Sequence, residues 1–295
     1  MKLQAMLILA FATFLFSSCE KDAEGPTPIP TGTAKVNFIF KFDSTQQRLN
    51  AIGQPAPMPA GNAGQSPRFN TMSAHYVELA PNAFTAVGGG AILYRAPEVT
   101  TGGSNAIDFS NSKFAGNSQV FLSVPVKNFA AGTYNWLRVS LAYQNYNIYM
   151  NAVGQTIDAT LASFIGFNTY LNSYKVRDST VTINANKLQG YWALEGKVLG
   201  VGFLSQGQAP PGATTVPNPL FASSPIPAGS CLVTGQFQIP LVVTGNETHD
   251  INIVVSLSTN KSFEWVDVDN NGTYDPNNGD RVVDMGIRGM LPIIQ

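Results

Sequence analysis

The 295-residue sequence has few cysteines, few histidines and few charged side chains, and each scarcity excludes a class of function. Two cysteines, Cys19 and Cys231, cannot build the disulfide framework of small secreted proteins. His75 and His249 have no ligand-spaced partner, so zinc or copper chemistry has little support and each histidine is expected to be structural. Charged residues make up 12% of the chain, with a net charge of −1 and no lysine run, which argues against a nucleic-acid partner.

A membrane-spanning hydrophobic run is missing from the N-terminus as well. The apolar stretch 5–16 is shorter than the about 20 residues that a helix needs to cross a bilayer. It follows a single positive charge and precedes Ser17-Ser18-Cys19, which is the layout of a secretory signal.

Small residues directly before a cysteine resemble the lipobox of bacterial lipoprotein signal peptides. The position three before the cysteine, usually Leu in that family, is Phe16 here. The resemblance implies removal of residues 1–18, acylation of Cys19 with diacylglycerol and palmitate-type chains, and anchoring in the outer membrane. The alternative is an ordinary secretory signal, although the expected Ala-x-Ala pattern is absent.

Residues 19–33 are predicted to form a lipidated tether before the first strand. Prolines at its C-terminal end favour an extended, semi-rigid spacer. The charged cluster 20–24 resembles the export tag of some Gram-negative surface lipoproteins, which implies a body on the cell surface. The alternative is a solvated charged tether, with the body on the periplasmic side.

Residues 34–295 are dominated by alternation of apolar and polar side chains, the period of a half-buried strand. Gly, Pro, Asn and Asp clusters separate the alternating runs, as strand ends require. The segment 159–170 is the best helical candidate, and its Gly166 and β-forming residues weaken that interpretation. The pattern predicts an all-β, antiparallel β-sandwich-like single domain over 34–295. The predicted strands include 36–42, 136–143, 176–183, 191–203, 232–243 and 251–257.

The strongest chemical motif is an acidic loop near the C-terminus, 267–280. It matches the start of a D-x-[DN]-x-[DN]-G calcium loop, in which a tight turn brings alternate oxygen ligands to one centre. The family pattern ends with a bidentate Glu at position twelve, where this chain has Asn278, and Asp280 is the expected substitute. The predicted ligands are Asp267, Asp269, Asn271, Thr273 (through its carbonyl), Asp275 (directly or through water) and Asp280.

The flanks of this loop, 262–268 and 281–285, have the pattern of strands and not of EF-hand helices. Without the bidentate Glu, affinity for Ca²⁺ should be weak, roughly 10⁻⁴–10⁻³ M as in extracellular modules. The ion would have a structural role. The alternative is a hairpin loop whose Asn, Asp and Gly residues serve only turn geometry.

Catalytic motifs are scarce. The chain has no Gly-x-Ser-x-Gly elbow, and the glycines at 88–90 lack the lysine of a phosphate loop. Paired carboxylates for glycoside hydrolysis depend on spatial separation, which sequence does not give. The candidate carboxylates are Glu78, Glu98, Asp108 and Glu195. An aromatic set in one segment could stack on sugar rings or pack as cross-strand pairs. It comprises Tyr134, Trp136, Tyr143, Tyr146 and Tyr149.

These observations predict a non-enzymatic, lipid-anchored β protein of the outer membrane, with a binding or structural role and one structural calcium loop. Its expected partners are the membrane, through the lipid, and a glycan or a surface protein. One alternative is a glycan-binding or glycan-cleaving accessory lipoprotein of a surface uptake system. Another is a periplasmic metal-handling β protein.

Overall fold

Regular structure in the described part of the chain is almost all β-strand, as the alternating pattern predicts. The computed structural model describes residues 34–209, 219–220 and 231–295. The predicted signal peptide (1–18), Cys19 and the tether (19–33) lie outside those residues. The strands are β1 (Lys35–Asp43), β2 (Asn62–Gln65), β3 (Arg68–Ala80), β4 (Ala91–Arg95), β5 (Glu98–Val99), β6 (Ala106–Asp108), β7 (Gln119–Pro125), β8 (Gly132–Ala152), β9 (Gln155–Phe164), β10 (Thr169–Lys175), β11 (Thr180–Lys187), β12 (Tyr191–Val198), β13 (Val201–Gln208), β14 (Leu232–Val243), β15 (Ile251–Ser258), β16 (Phe263–Val266), β17 (Arg281–Asp284) and β18 (Met290–Ile294).

Within the described ranges these strands form four sheets. The largest has seven strands, in the order β13-β12-β9-β8-β3-β4, with β14 also paired to β8. Two four-stranded sheets have the orders β18-β15-β1-β7 and β11-β10-β6-β5, and a three-stranded sheet has the order β17-β16-β2. The pairs β1–β15 and β10–β6 are parallel, and the other pairs are antiparallel.

Strand β8 is 21 residues long and organises the seven-stranded sheet. Its N-terminal half pairs with β14, its C-terminal half with β9, and β3 pairs along its middle. Alternate side chains of its first half, Leu137, Val139 and Leu141, are fully buried. The intervening Arg138 and Ser140 are also fully buried, so both faces of this strand are covered.

The largest hydrophobic core joins β1 and β15 to β3 and β8. Phe38 and Phe40 of β1 and Val255 of β15 are fully buried and belong to one cluster with Val77 and Val139. Burial of each such side chain contributes roughly 1.5–3 kcal/mol. Alternating apolar positions hold these sheets together, and the described cysteine, Cys231, is a free buried thiol.

Two further cores lie on opposite faces of β9. Its odd-numbered residues Ile157 and Leu161 pack in a cluster with Phe263 and Trp265 of β16. Its even-numbered residues, such as Phe164, pack in another cluster with residues of β10 and β11. Because side chains alternate across a strand, the seven-stranded sheet is covered on both faces here.

Three segment predictions are wrong. Residues 159–170, the best helical candidate, contain the end of β9 and the start of β10. The predicted strand 191–203 is a hairpin, because Leu199 and Gly200 both have positive φ (52° and 82°) and reverse the chain between β12 and β13. The predicted strand 176–183 begins in a turn, and β11 starts only at Thr180.

The all-β, sandwich-like fold class is confirmed. The described residues belong to one compact unit. Among them, no helix has the length and apolar character needed to span a membrane.

Candidate metal centre

The acidic loop 267–280 connects two strands of the three-stranded sheet. Strand β16 pairs on one side with β2 and on the other with β17, which begins directly after the loop. Phe263 and Trp265 on β16 are buried and contact the ring of Tyr274, with centroids 5.1 and 5.6 Å apart. Aromatic packing therefore fixes the middle of the loop against β16.

Three carboxylates of the loop converge. Asp267, Asp269 and Asp280 each offer an oxygen, and these oxygens lie within 4.8 Å of one another. Asp280 is buried, whereas Asp269 is exposed. Among the described residues, no Lys, Arg or His forms an ion pair with any of the three. Like charges at this spacing repel unless a cation is bound between them, and carboxylate oxygens are the ligands that Ca²⁺ prefers.

Backbone amides hold the first of these carboxylates in place. Asp267 accepts hydrogen bonds from the backbone N–H groups of Asn271 (3.2 Å) and Gly272 (2.9 Å). Asn270 and Gly272 both have positive φ (57° and 72°), which produces the sharp bend that turns these amides inward. Asn270 and Gly272 of the motif thus set the turn geometry and, through it, the position of the Asp267 carboxylate.

Asp280 ties the two ends of the loop together. One of its carboxylate oxygens accepts a hydrogen bond from the backbone N–H of Val268 (3.0 Å), and the other accepts one from the backbone N–H of Asp275 (2.8 Å). A carboxylate from the far end of the loop thus joins two from its start. Its two hydrogen bonds also give Asp280 a role in the geometry of the loop.

Asp275 lies outside the carboxylate cluster. Its side chain accepts hydrogen bonds from the backbone N–H of Asn277 (3.2 Å) and the amides of Asn278 (2.7 Å) and Asn151 (3.0 Å). It thereby caps the short 3-10 helix Pro276–Asn278 and links the loop to β8. The structure thus brings together three of the four carboxylates that the sequence predicts as ligands.

The two remaining predicted ligands lie beside the cluster. The Asn271 amide donates to Asp269 (2.8 Å), and its side-chain oxygen accepts from the backbone N–H of Thr273 (2.6 Å). Both residues are exposed. Their predicted role as oxygen ligands remains a prediction.

The other candidate carboxylates each have separate partners. Glu78 pairs with Arg138 (3.1 Å) and accepts from the amides of two glycines of the 88–90 turn. Glu195 accepts from three consecutive backbone amides, 177–179. Asp108 caps a short 3-10 helix. These contacts give each carboxylate a structural role.

The histidines differ in environment. His75 is buried, and its Nε2 lies 2.8 Å from the Glu98 carboxylate. Burial lowers the pKa of His75 to about 4, so the ring is neutral at pH 7. His249 is exposed and its Nδ1 lies 2.9 Å from the hydroxyl of Thr248.

A buried ion network next to the loop was not foreseen from the sequence. Glu264, on β16, accepts hydrogen bonds from Arg48, Arg288 and Asn62. Arg288 also pairs with Asp284 (2.9 Å). Burial raises the pKa of the Asp284 carboxyl to about 6. Arg48 and Glu264 are 216 positions apart, so spacing offered no signal for this contact.

The aromatic segment divides between core and surface. Tyr143 and Tyr146 are buried, and exposed Tyr149 lies under the guanidinium of Arg68, 4.4 Å from the ring centroid. Trp136 is half-buried and lines a surface cleft of about 540 Å³. Phe84, 68% exposed, lines the same cleft. The remaining polar lining of the cleft is made of side-chain amides, from Gln54, Asn82 and Gln236.

Comparison with known proteins found no match for this chain, whether among protein-family models, curated proteins or solved structures. What the site does therefore has to be inferred from its own residues.

Proposed function

We propose that this chain is a lipid-anchored β protein of the outer membrane, with a binding or structural role and a loop stabilised by Ca²⁺. The convergence of Asp267, Asp269 and Asp280 carries the calcium part of this proposal. The ion would offset the repulsion between these carboxylates and pin the loop, and it would have no catalytic duty.

The contacts of the loop explain why pinning it would stabilise the body. Asp275 hydrogen-bonds to Asn151 on β8, and the backbone N–H of Asn151 donates to the carbonyl of Tyr274 (2.7 Å). Tyr274 in turn packs on the aromatic residues of β16. A loop ordered by Ca²⁺ would therefore hold the three-stranded sheet against β8.

Thermal unfolding with and without Ca²⁺ tests this proposal. A ligand at 10 to 100 times its Kd stabilises the folded state by about 1.4–2.7 kcal/mol. For a body of this size we expect millimolar Ca²⁺ to raise Tm by roughly 3–10 °C. The double variant Asp267→Ala/Asp269→Ala should lose this rise, whereas Asp178→Ala, which removes an exposed carboxylate outside the loop, should keep it. An unchanged Tm in Ca²⁺ would contradict the proposal.

The anchor part of the proposal depends on the lipobox-like Ser17-Ser18-Cys19 and on the short apolar run before it. Cells expressing the chain should incorporate a palmitate analogue into it, and Cys19→Ser should abolish the labelling. Protease treatment of intact cells then separates the two orientations. Degradation of the body supports a cell-surface position, and protection supports the periplasmic side.

A glycan-binding role is the second candidate, favoured by the cleft at Trp136. An aromatic platform beside three uncharged amides suits a neutral sugar, which presents apolar ring faces and hydroxyl groups. Oligosaccharides that bind there should raise Tm in wild type and fail to do so in Trp136→Ala. Tyr149→Ala, which removes an exposed ring elsewhere on β8, is the matched control. No shift with any glycan would remove this candidate.

A further inference from the structure

A second cavity lies between the seven-stranded sheet and the three-stranded sheet. Its volume is about 390 Å³, within the range of roughly 300–1,000 Å³ typical of small-molecule sites. One wall is formed by β8, β9, β12 and the end of β13, where Gln208 contributes a polar amide, and the other by β16, β17 and Tyr274 of the acidic loop.

The walls of this cavity are apolar. Ile148, Leu161 and Phe263 are buried, and Trp192 and Leu194 are half-buried at its open side. A wall of this kind without a partner forfeits dispersion contacts, which an apolar ligand would restore. The body of a suitable ligand is therefore apolar.

The charged groups of the lining have different surroundings. Asp284 is buried and pairs with Arg288 at 2.9 Å. Arg281, at the start of β17, is exposed and forms no ion pair with any residue that the structure describes. Its guanidinium can therefore bind an anionic group at the rim, whereas the buried Asp284 carboxylate disfavours an anion at the inner end.

We propose that this cavity binds an amphipathic monocarboxylate of the fatty-acid class. The apolar chain lies between the two sheets, and the carboxylate pairs with Arg281 at the rim. The inference does not depend on the lipid anchor.

Calorimetric titration with dodecanoic acid and with 1-dodecanol separates binding of the apolar chain from pairing of the carboxylate with Arg281. We expect saturable binding of dodecanoic acid at one site per chain. Arg281→Ala should weaken binding of the acid at least tenfold and change binding of the alcohol by less than threefold. Arg177→Ala, which removes an exposed arginine elsewhere, should leave both unchanged. If Arg281→Ala lost the same affinity for the acid and for the alcohol, the ligand carboxylate would not pair with Arg281.

Filling the cavity tests its location. Leu194→Trp should abolish binding of both probes, whereas Leu188→Trp, at an exposed turn position, should not. If Leu194→Trp does not fold, as judged by circular dichroism, Val282→Phe fills the opposite wall. A bromine-labelled dodecanoic acid should also quench tryptophan fluorescence, and Trp192→Phe should reduce that quenching. Full binding in a folded, filled variant, or no saturable binding in wild type, would overturn the proposal.

Discussion

Replacing Glu264 by Gln should destabilise the protein by about 3–5 kcal/mol, the cost of removing one partner from a buried ion network. The Glu264 side chain is 1% exposed and accepts hydrogen bonds from Arg48, Arg288 and Asn62. Gln keeps the size of the side chain and removes its charge. Two buried guanidinium groups would then share the single carboxylate of Asp284.

Urea unfolding measures this loss. Trp265 lies next to Glu264 on β16 and is buried, so its exposure on unfolding contributes to the change in tryptophan fluorescence. For a body of this size, the same loss corresponds to a fall in Tm of about 6–20 °C. Since Glu264 lies three positions before Asp267, the first residue of the acidic loop, the variant should also weaken the Ca²⁺-dependent rise in Tm.

The surface pair Arg68–Asp158 is the matched control. Its side chains are 48% and 36% exposed, so Asp158→Asn should cost no more than about 1 kcal/mol. If Glu264→Gln cost as little as this control, the network would not stabilise β16 and the reasoning would be wrong.

Two further predictions concern buried titratable groups. Burial lowers the pKa of His75 from 6.5 to about 4. Between pH 6.5 and pH 4 the unfolded chain therefore binds more protons than the folded protein, so the stability of the fold falls as the solution is acidified. We expect the free energy of unfolding to decline by up to about 3 kcal/mol between pH 7 and pH 4. Urea titrations of His75→Gln should lack this decline. Parallel pH profiles for the two proteins would refute the prediction. Burial also raises the pKa of the Cys231 thiol, which is 1% exposed. In a Cys19→Ser chain this thiol should react with a disulfide reagent only after denaturation, and rapid reaction of the native protein would contradict its placement.

Alternation along the chain was sufficient to predict the fold class. Val36, Phe38 and Phe40 recur at every second position and are all fully buried. Such a pattern depends only on the strand period, which is local information. Which strands pair is not local, and the parallel pairing of β1 with β15 joins segments more than 200 residues apart.

The hairpins were harder to foresee because their turn residues are unusual. Val153-Gly154 and Leu199-Gly200 reverse the chain with positive φ at both positions. Asn or Asp usually precedes Gly in such turns, since β-branched and bulky residues rarely adopt positive φ. An apolar residue before Gly200 made the run 191–203 look continuous.

Sequence reasoning located the carboxylate loop but not its internal arrangement. The spacing of Asp267 and Asp269 is fixed by the motif, and their side chains do lie together with that of Asp280. The Asp275 side chain instead accepts a hydrogen bond from Asn151, a residue on β8 that no local pattern connects to the loop. The roles of loop side chains therefore depend on the strand against which the loop packs.

Equilibrium dialysis against radioactive Ca²⁺ is the most direct test of the proposed calcium loop. It counts bound ions at the weak affinity expected here, roughly 10⁻⁴–10⁻³ M. We predict one Ca²⁺ per wild-type chain and none for Asp267→Ala/Asp269→Ala or for Asp280→Asn. No bound Ca²⁺ in wild type, or equal binding in the variants, would contradict the assignment of these carboxylates as a calcium site.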